Sequence, residues 1–168
     1  MGTITDPMVN EFRQEVATTK RVLERVPEQK LSWKPHAKSM TLGQLASHIA
    51  SVPGSVARLL QQDSFDVSQG NFVPPQPKSM QEVLTAFEQS VRDAEQCLQG
   101  MTDDRARETW RLVRGDQELM SLPRVGFARS VMMNHWYHHR GQLSVYLRLL
   151  DVPLPVIYGP SADENPFG

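Results

Sequence analysis

The sequence holds a single cysteine, Cys97, among 168 residues. One cysteine excludes an internal disulfide framework and any cysteine-rich zinc site. It predicts a buried, inert thiol in a reducing, cytoplasmic setting. No run approaches the roughly 18 apolar residues that a membrane-spanning helix needs. Residues 1–10 carry neither the basic region nor the apolar stretch of a signal peptide, so none is expected. Neither charge sign is in excess: 18 Lys and Arg stand against 19 Asp and Glu, a net charge of −1. That balance, with the basic residues scattered, argues against nucleic-acid binding through phosphates and against a polybasic membrane-surface module. The chain has no glycine-rich phosphate loop, no Gly-x-Ser-x-Gly elbow, no CxxC pair and no internal repeat. Asp103-Asp104 reads as an acid pair in a loop or at a helix start, not as a catalytic dyad.

What the chain does have is helical periodicity punctuated by twelve prolines. Its length suits one domain, residues 1–168, able to bury roughly 70% of the unfolded surface. A first helix is expected from the N-cap candidate Thr5-Asp6-Pro7 to about Val26, with Val9, Phe12, Val16, Thr19 and Leu23 on one stripe. A second opens near Ser39 or Thr41, where Thr41-x-x-Gln44 has the form of a capping box. Its stripe is Leu42, Leu45, Ile49, Val52, Val56 and Leu59, and Pro53 should kink it or end it early. Residues 61–78 read as a long crossover loop. Ser79-x-x-Glu82 opens the third helix, whose buried face is Val83, Phe87, Val91, Ala94 and Leu98, with Gly100 as its stop. Between residues 101 and 120 the pattern is weak, with a short strand at Thr109 to Val113 and a turn at Gly115-Asp116. The fourth helix runs from Leu122 or Pro123 to Leu150, and the tail, residues 151–168, is non-helical. The expectation is an all-α protein, a four-helix bundle with a long crossover between helices 2 and 3.

Three of the five histidines lie in the run His135-Trp136-Tyr137-His138-His139. An inward series on the fourth helix, Val125, Ala128, Met132, His135, His139, Gln142, Tyr146 and Leu149, keeps to one face. His135 and His139 are thus stacked one turn apart, as in helical metal sites. His138, three residues after His135, competes for the same pairing. His48, at the edge of the second helix's stripe, faces the interior and supplies a third imidazole. For His48 the alternative is a core histidine bonded to a neighbour, and for the His135 and His139 pair it is a solvated face. Three neutral imidazoles suit a divalent metal, Zn or Ni foremost, with Fe, Co or Mn as further options, and leave a coordination position open.

The string Thr41-Leu42-Gly43-Gln44-Leu45-Ala46-Ser47-His48-Ile49-Ala50 resembles the second-helix signature of the DinB/YfiT-like superfamily of metalloenzymes. His135-x-x-x-His139-Arg140-Gly141-Gln142-Leu143 resembles the end of that superfamily's fourth helix. The tail from Val156 through Tyr158-Gly159-Pro160-Ser161-Ala162-Asp163-Glu164 is similar to that of one DinB-like subgroup. With Trp33-x-Pro35, the resemblance spans nearly the whole chain. It implies a divalent metal held by His48, His135 and His139, a homodimer, and His138 and His36 outside the ligand set. It also implies transfer of a low-molecular-weight thiol, such as bacillithiol or mycothiol, to an electrophilic small molecule.

Arg140 and Tyr146 are the further catalytic candidates. The first could hold an anion or serve a salt bridge, and the second could donate to a metal-bound group or fill the core. Gly141 in mid-helix suggests close approach of another helix, and an exposed Trp110 would suit a dimer. Trp136 and Tyr137 read as packing residues. Two rivals remain: metal-hydroxide hydrolysis, which needs a nearby base, and a non-catalytic stress-related protein. In the latter the metal is structural, closed for instance by Asp163 folding over from the tail.

Overall fold

The computed structural model describes residues 2–167, so the outermost residue at each end of the expected domain lies outside the described residues. In chain order the elements are α1 (Thr5–Leu23), α2 (Leu42–Leu60), β1 (Ser64–Asp66), α3 (Met80–Gly100), α4 (Asp103–Arg107), β2 (Thr109–Arg114), β3 (Gln117–Pro123), α5 (Arg124–Phe127), a π-helical segment (Ala128–Asn134) and α6 (His135–Leu149). Four long helical segments carry the core: α2 packs against α3 and α6, and α1 packs against the same two. The all-α expectation is corrected, because a small sheet of order β1-β2-β3 joins them. β2 and β3 form an antiparallel hairpin about Gly115, whose φ of 56° is one that glycine adopts without strain. β1 adds in parallel from within the crossover. Three residues are too few for a period-two signal, and pairing partners so distant in sequence are chosen only by the tertiary fold.

Helix ends follow local chemistry where the partner is near. Thr41 closes a full capping box with Gln44: its hydroxyl accepts from the Gln44 N–H, and the Gln44 amide accepts from the Thr41 N–H, both at 3.0 Å. At α3 only half of the expected box forms. Ser79 accepts from Glu82 N–H at 3.2 Å, while the Glu82 carboxylate turns to the Lys78 N–H at 2.9 Å. The start of α1 is capped from a distance: Asp103 accepts from the backbones of Thr3, Ile4 and Thr5. Those bonds, led by one from the Thr3 hydroxyl, hold its carboxyl down to about 2. This is the role of the acid pair's first member, at the first residue of α4.

Pro53 neither ends nor breaks α2, which continues to Leu60. A proline there leaves the carbonyl four residues back without its helical donor. That carbonyl belongs to Ile49, and it accepts instead from the indole N–H of the fully buried Trp136 at 2.8 Å. The neighbouring Gly54 N–H donates to Ser90 of α3 at 2.7 Å. A Cβ on Gly54 would lie 2.9 Å from the Ser90 backbone, so glycine sets how closely α2 and α3 approach. Trp136→Phe keeps the apolar bulk but orphans a buried carbonyl, and is expected to destabilise the protein by about 1–3 kcal/mol. Adding Pro53→Ala restores a backbone donor and should recover part of that loss in urea unfolding. An additive double variant would refute the pairing.

The C-terminus of α2 is also held from a distance. Arg124, fully buried, donates to the carbonyls of Leu60, at 2.8 Å, and Gln62, and pairs with Asp63. A cation at a helix C-terminus meets the negative end of the dipole and its unpaired carbonyls. Trp110 donates to the Leu59 carbonyl at 3.0 Å and stacks on Phe127. It is completely buried, which corrects the expectation of an exposed aromatic.

The fourth long segment starts at Arg124 rather than Leu122, and its π-helical stretch changes which face is buried. Each π turn holds an additional residue, so the 3.6-residue series cannot run straight through it. Ala128 and Met132 are buried as expected, but beyond them the core face is Trp136, Arg140, Leu143 and Leu147. Leu149, expected inside, is 58% exposed. His135 and His139 therefore lie on the flank of the buried face, where α6 borders α2 and the crossover.

Candidate metal centre

His48 on α2 and His135 and His139 on α6 converge, one nitrogen from each lying within 4.8 Å of the others. The His48 and His135 Nε2 atoms are 3.4 Å apart, and those of His135 and His139 are 2.7 Å apart. The rings meet edge to face, with centroid separations of 4.4–5.1 Å. α6 supplies two ligands a turn apart, and the Trp136 bond to Ile49 locks α6 beside the residue that follows His48.

The outward nitrogens decide what the inward ones can do. His139 Nδ1 donates to the Gln142 amide oxygen at 2.7 Å. With that proton committed outward, the neutral His139 turns a bare lone pair toward His135. Two ring nitrogens at 2.7 Å must share either a proton or a cation. Metal–nitrogen bonds of about 2.0–2.1 Å place tetrahedral ligand nitrogens about 3.3 Å apart, close to the His48–His135 spacing. The donor set thus fits a divalent ion.

Burial first, then the charges of His139 and His135, push the His48 proton affinity down to about 4. Burial also lowers His135 and His139, partly opposed by the Val131 and Gln142 bonds. These shifts favour the neutral imidazole, the form that ligates metal.

The other candidates lie elsewhere. Arg140 is buried against α1 and the tail: its guanidinium reaches Glu15 at 2.5 Å, Thr19 at 3.1 Å and the Tyr158 hydroxyl at 2.5 Å. Tyr146 donates to the Met40 carbonyl at 3.3 Å and packs edge-on against Trp33. His138 is exposed beside His139, and His36 accepts from the Lys38 N–H in its loop. Asp163 does not close over the histidines: it pairs with Arg148 at 2.5 Å and accepts from the Leu154 N–H. Nothing among the described residues lies within 4 Å of a Cβ built on Gly141, so none of the described helices approaches there. Cys97 is partly buried, and burial pushes its thiol up. The role of Gln142 as the His139 acceptor is not legible in the sequence. The Gln142 position, three residues after His139, was the one available signal.

A cavity of about 440 Å³ adjoins the histidines, with His48 and His135 in its wall and crossover residues such as Phe72 and Pro74 opposite. Among the described residues, no helix is long and apolar enough to cross a membrane.

Comparison with known proteins agrees with this architecture. YrdA of Bacillus subtilis, described as uncharacterized, is 25% identical over 160 residues, covering 95% of this chain and 90% of YrdA. A DinB-like protein from Bacillus cereus superposes with a TM-score of 0.74 at 20% identity, over 94% of this chain and 100% of that one. The DinB-like protein YjoA of B. subtilis gives 0.70 at 18% identity, over 90% and 96%. These two likenesses bear on the fold. The model of the DinB family matches residues 1–165, and the chain belongs to that family.

Proposed function

We propose that this protein is a metal-dependent transferase. In this reading it joins a low-molecular-weight thiol to an electrophilic small molecule at a divalent centre held by His48, His135 and His139. The observation that carries it is the convergence of one nitrogen from each of three imidazoles, with the outer nitrogen of His139 already engaged by Gln142. When bound, the metal supplies Lewis acidity and lowers the pKa of a coordinated thiol. Gln142 fixes the His139 tautomer, as partners of metal-bound histidines do elsewhere. The adjoining cavity receives the electrophile and excludes water. Arg140 and Tyr146 act as positioning residues, holding α6 to α1 and to the loop before α2. Zn and Ni are the leading metals, since imidazole suits both. The cytoplasm, which keeps such thiols reduced, is the natural compartment.

The cavity lining contains no carboxylate, which disfavours hydrolysis by leaving it without a general base. Asp163 is committed to Arg148, which disfavours a closed structural centre. The test is turnover of an electrophile such as monobromobimane by metal-loaded protein with and without an added thiol. Consumption that requires both thiol and metal supports the transferase. Consumption by water alone at the same rate overturns it.

We also propose a homodimer through the outer face of α6, where Gly141 is open and Val145 and Leu149 are each 58% exposed. Exposed apolar side chains beside a glycine suit close helix approach. Light scattering during size-exclusion chromatography decides this: twice the 19.0 kDa chain mass supports it, and a single chain mass refutes it.

A further inference from the structure

We infer that the cavity beside the three histidines takes a neutral, apolar small molecule whose single reactive end meets His48 and His135. This deepens the transferase reading by naming the chemical class of its electrophile. The cavity measures about 440 Å³, within the range that encloses a small organic molecule. Its walls are aliphatic or aromatic: Val52, Val56 and Leu59 of α2, Val131 of the π-helical segment, and Phe72 to Pro75 of the crossover.

The two hydroxyls and the amide oxygen in the lining each have a partner already. The Ser51 hydroxyl donates to the His48 carbonyl at 3.2 Å, and the Ser55 hydroxyl accepts from Arg58. The Asn71 amide oxygen accepts from the Val73 N–H at 3.1 Å, closing a turn in its own loop. Arg58, outside the lining, is held by Asp93. Apart from the two histidines, no ionisable side chain lines the cavity. A charged group on the body of a ligand would lose water there without gaining an ionic partner, which costs affinity. Phe72 and Val73 are 68% and 71% exposed, large apolar side chains standing on the crossover beside the cavity. A ligand that covers them removes that surface from water.

The experiment uses two fluorescent probes with nearly the same rings. N-phenylnaphthylamine is neutral, and anilinonaphthalene sulfonate adds one fixed charge. Both are titrated into the full chain as purified and after metal removal by chelator. The expected result is saturable binding of the neutral probe at one per chain, about tenfold or more tighter than the sulfonate. Val56→Phe, which fills the cavity, and Val73→Asp, which charges an exposed wall residue without touching the core, should each weaken the neutral probe by about tenfold. Absence of saturable binding, equal affinity for the two probes, or indifference to both variants overturns the inference. Binding that survives chelation separates it from the metal reading: a protein without metal that still selects the neutral probe has this cavity but not the proposed centre.

Discussion

Alanine at His48, His135 or His139 is expected to abolish stoichiometric metal binding while leaving the helical content intact. Each variant removes one of three ligand nitrogens. Changes to groups that merely orient a ligand lower metal affinity by about 10–100-fold, so loss of a ligand should exceed that range. Gln142→Leu supplies the intermediate case, because it leaves every ligand in place and removes only the acceptor for His139 Nδ1. It should fall within the 10–100-fold window. The three histidines lie on the flank of the core, partly buried, so their truncation leaves the packed face of Trp136, Leu143 and Leu147 untouched. Elemental mass spectrometry on protein purified without an affinity tag measures the outcome. Near one metal per chain in the wild type, lost in all three alanine variants, fits the geometry. A wild type that stays metal-free after incubation with Zn or Ni, or histidine variants that keep full occupancy, would remove the centre.

Arg140→Ala is expected to be the most destabilising single change, by about 3–5 kcal/mol. The guanidinium is 1% exposed and pairs at 2.5 Å with a Glu15 carboxylate that is itself only 12% exposed. It also bonds Thr19 and Tyr158 and lies over the Tyr158 ring, tying α6 to α1 and the tail. Truncation leaves Glu15 charged, largely buried and deprived of its cation, and that uncompensated charge dominates the loss. For a chain of this size the midpoint of thermal unfolding should drop by roughly 10 °C. The double variant Arg140→Met with Glu15→Leu removes both charges and should recover most of the loss, since an apolar pair of similar volume often matches a buried ion pair. Metal content of the folded Arg140→Ala protein at low temperature separates positioning from catalysis. A positioning role predicts retained metal together with lowered stability. Unchanged stability with lost turnover would instead place Arg140 in the chemistry.

Much of the fold is local in origin and therefore legible in the residues alone. The capping box at Thr41 and Gln44, the Ser79 cap and the turn at Gly115 each depend on residues at most three apart. The amphipathic stripes of α1, α2 and α3 are periodic and long enough to register. The strand β1, the distant caps Asp103 and Arg124, and the indole bond that rescues Pro53 were not legible. Each joins residues roughly fifty to a hundred positions apart, and no periodicity encodes which carbonyl or amide a distant side chain will meet.

The candidate site divides along the same line. Its three histidines could be named from the sequence, because two stand at i and i+4 on one helix and the third borders an apolar stripe. The chemistry of the donors, three imidazoles and no thiolate, is likewise a property of composition. Only the tertiary structure decided that Gln142 holds the His139 tautomer, and that Arg140 turns to Glu15 instead of the histidines. It also placed an apolar cavity beside the centre. The reason is the π-helical segment, whose additional residue rotates α6 so that Trp136 and Arg140 take the core and the histidines take its edge. A helical period read from sequence cannot anticipate where such a turn widens, because its stability comes from packing against other elements rather than from its own residues.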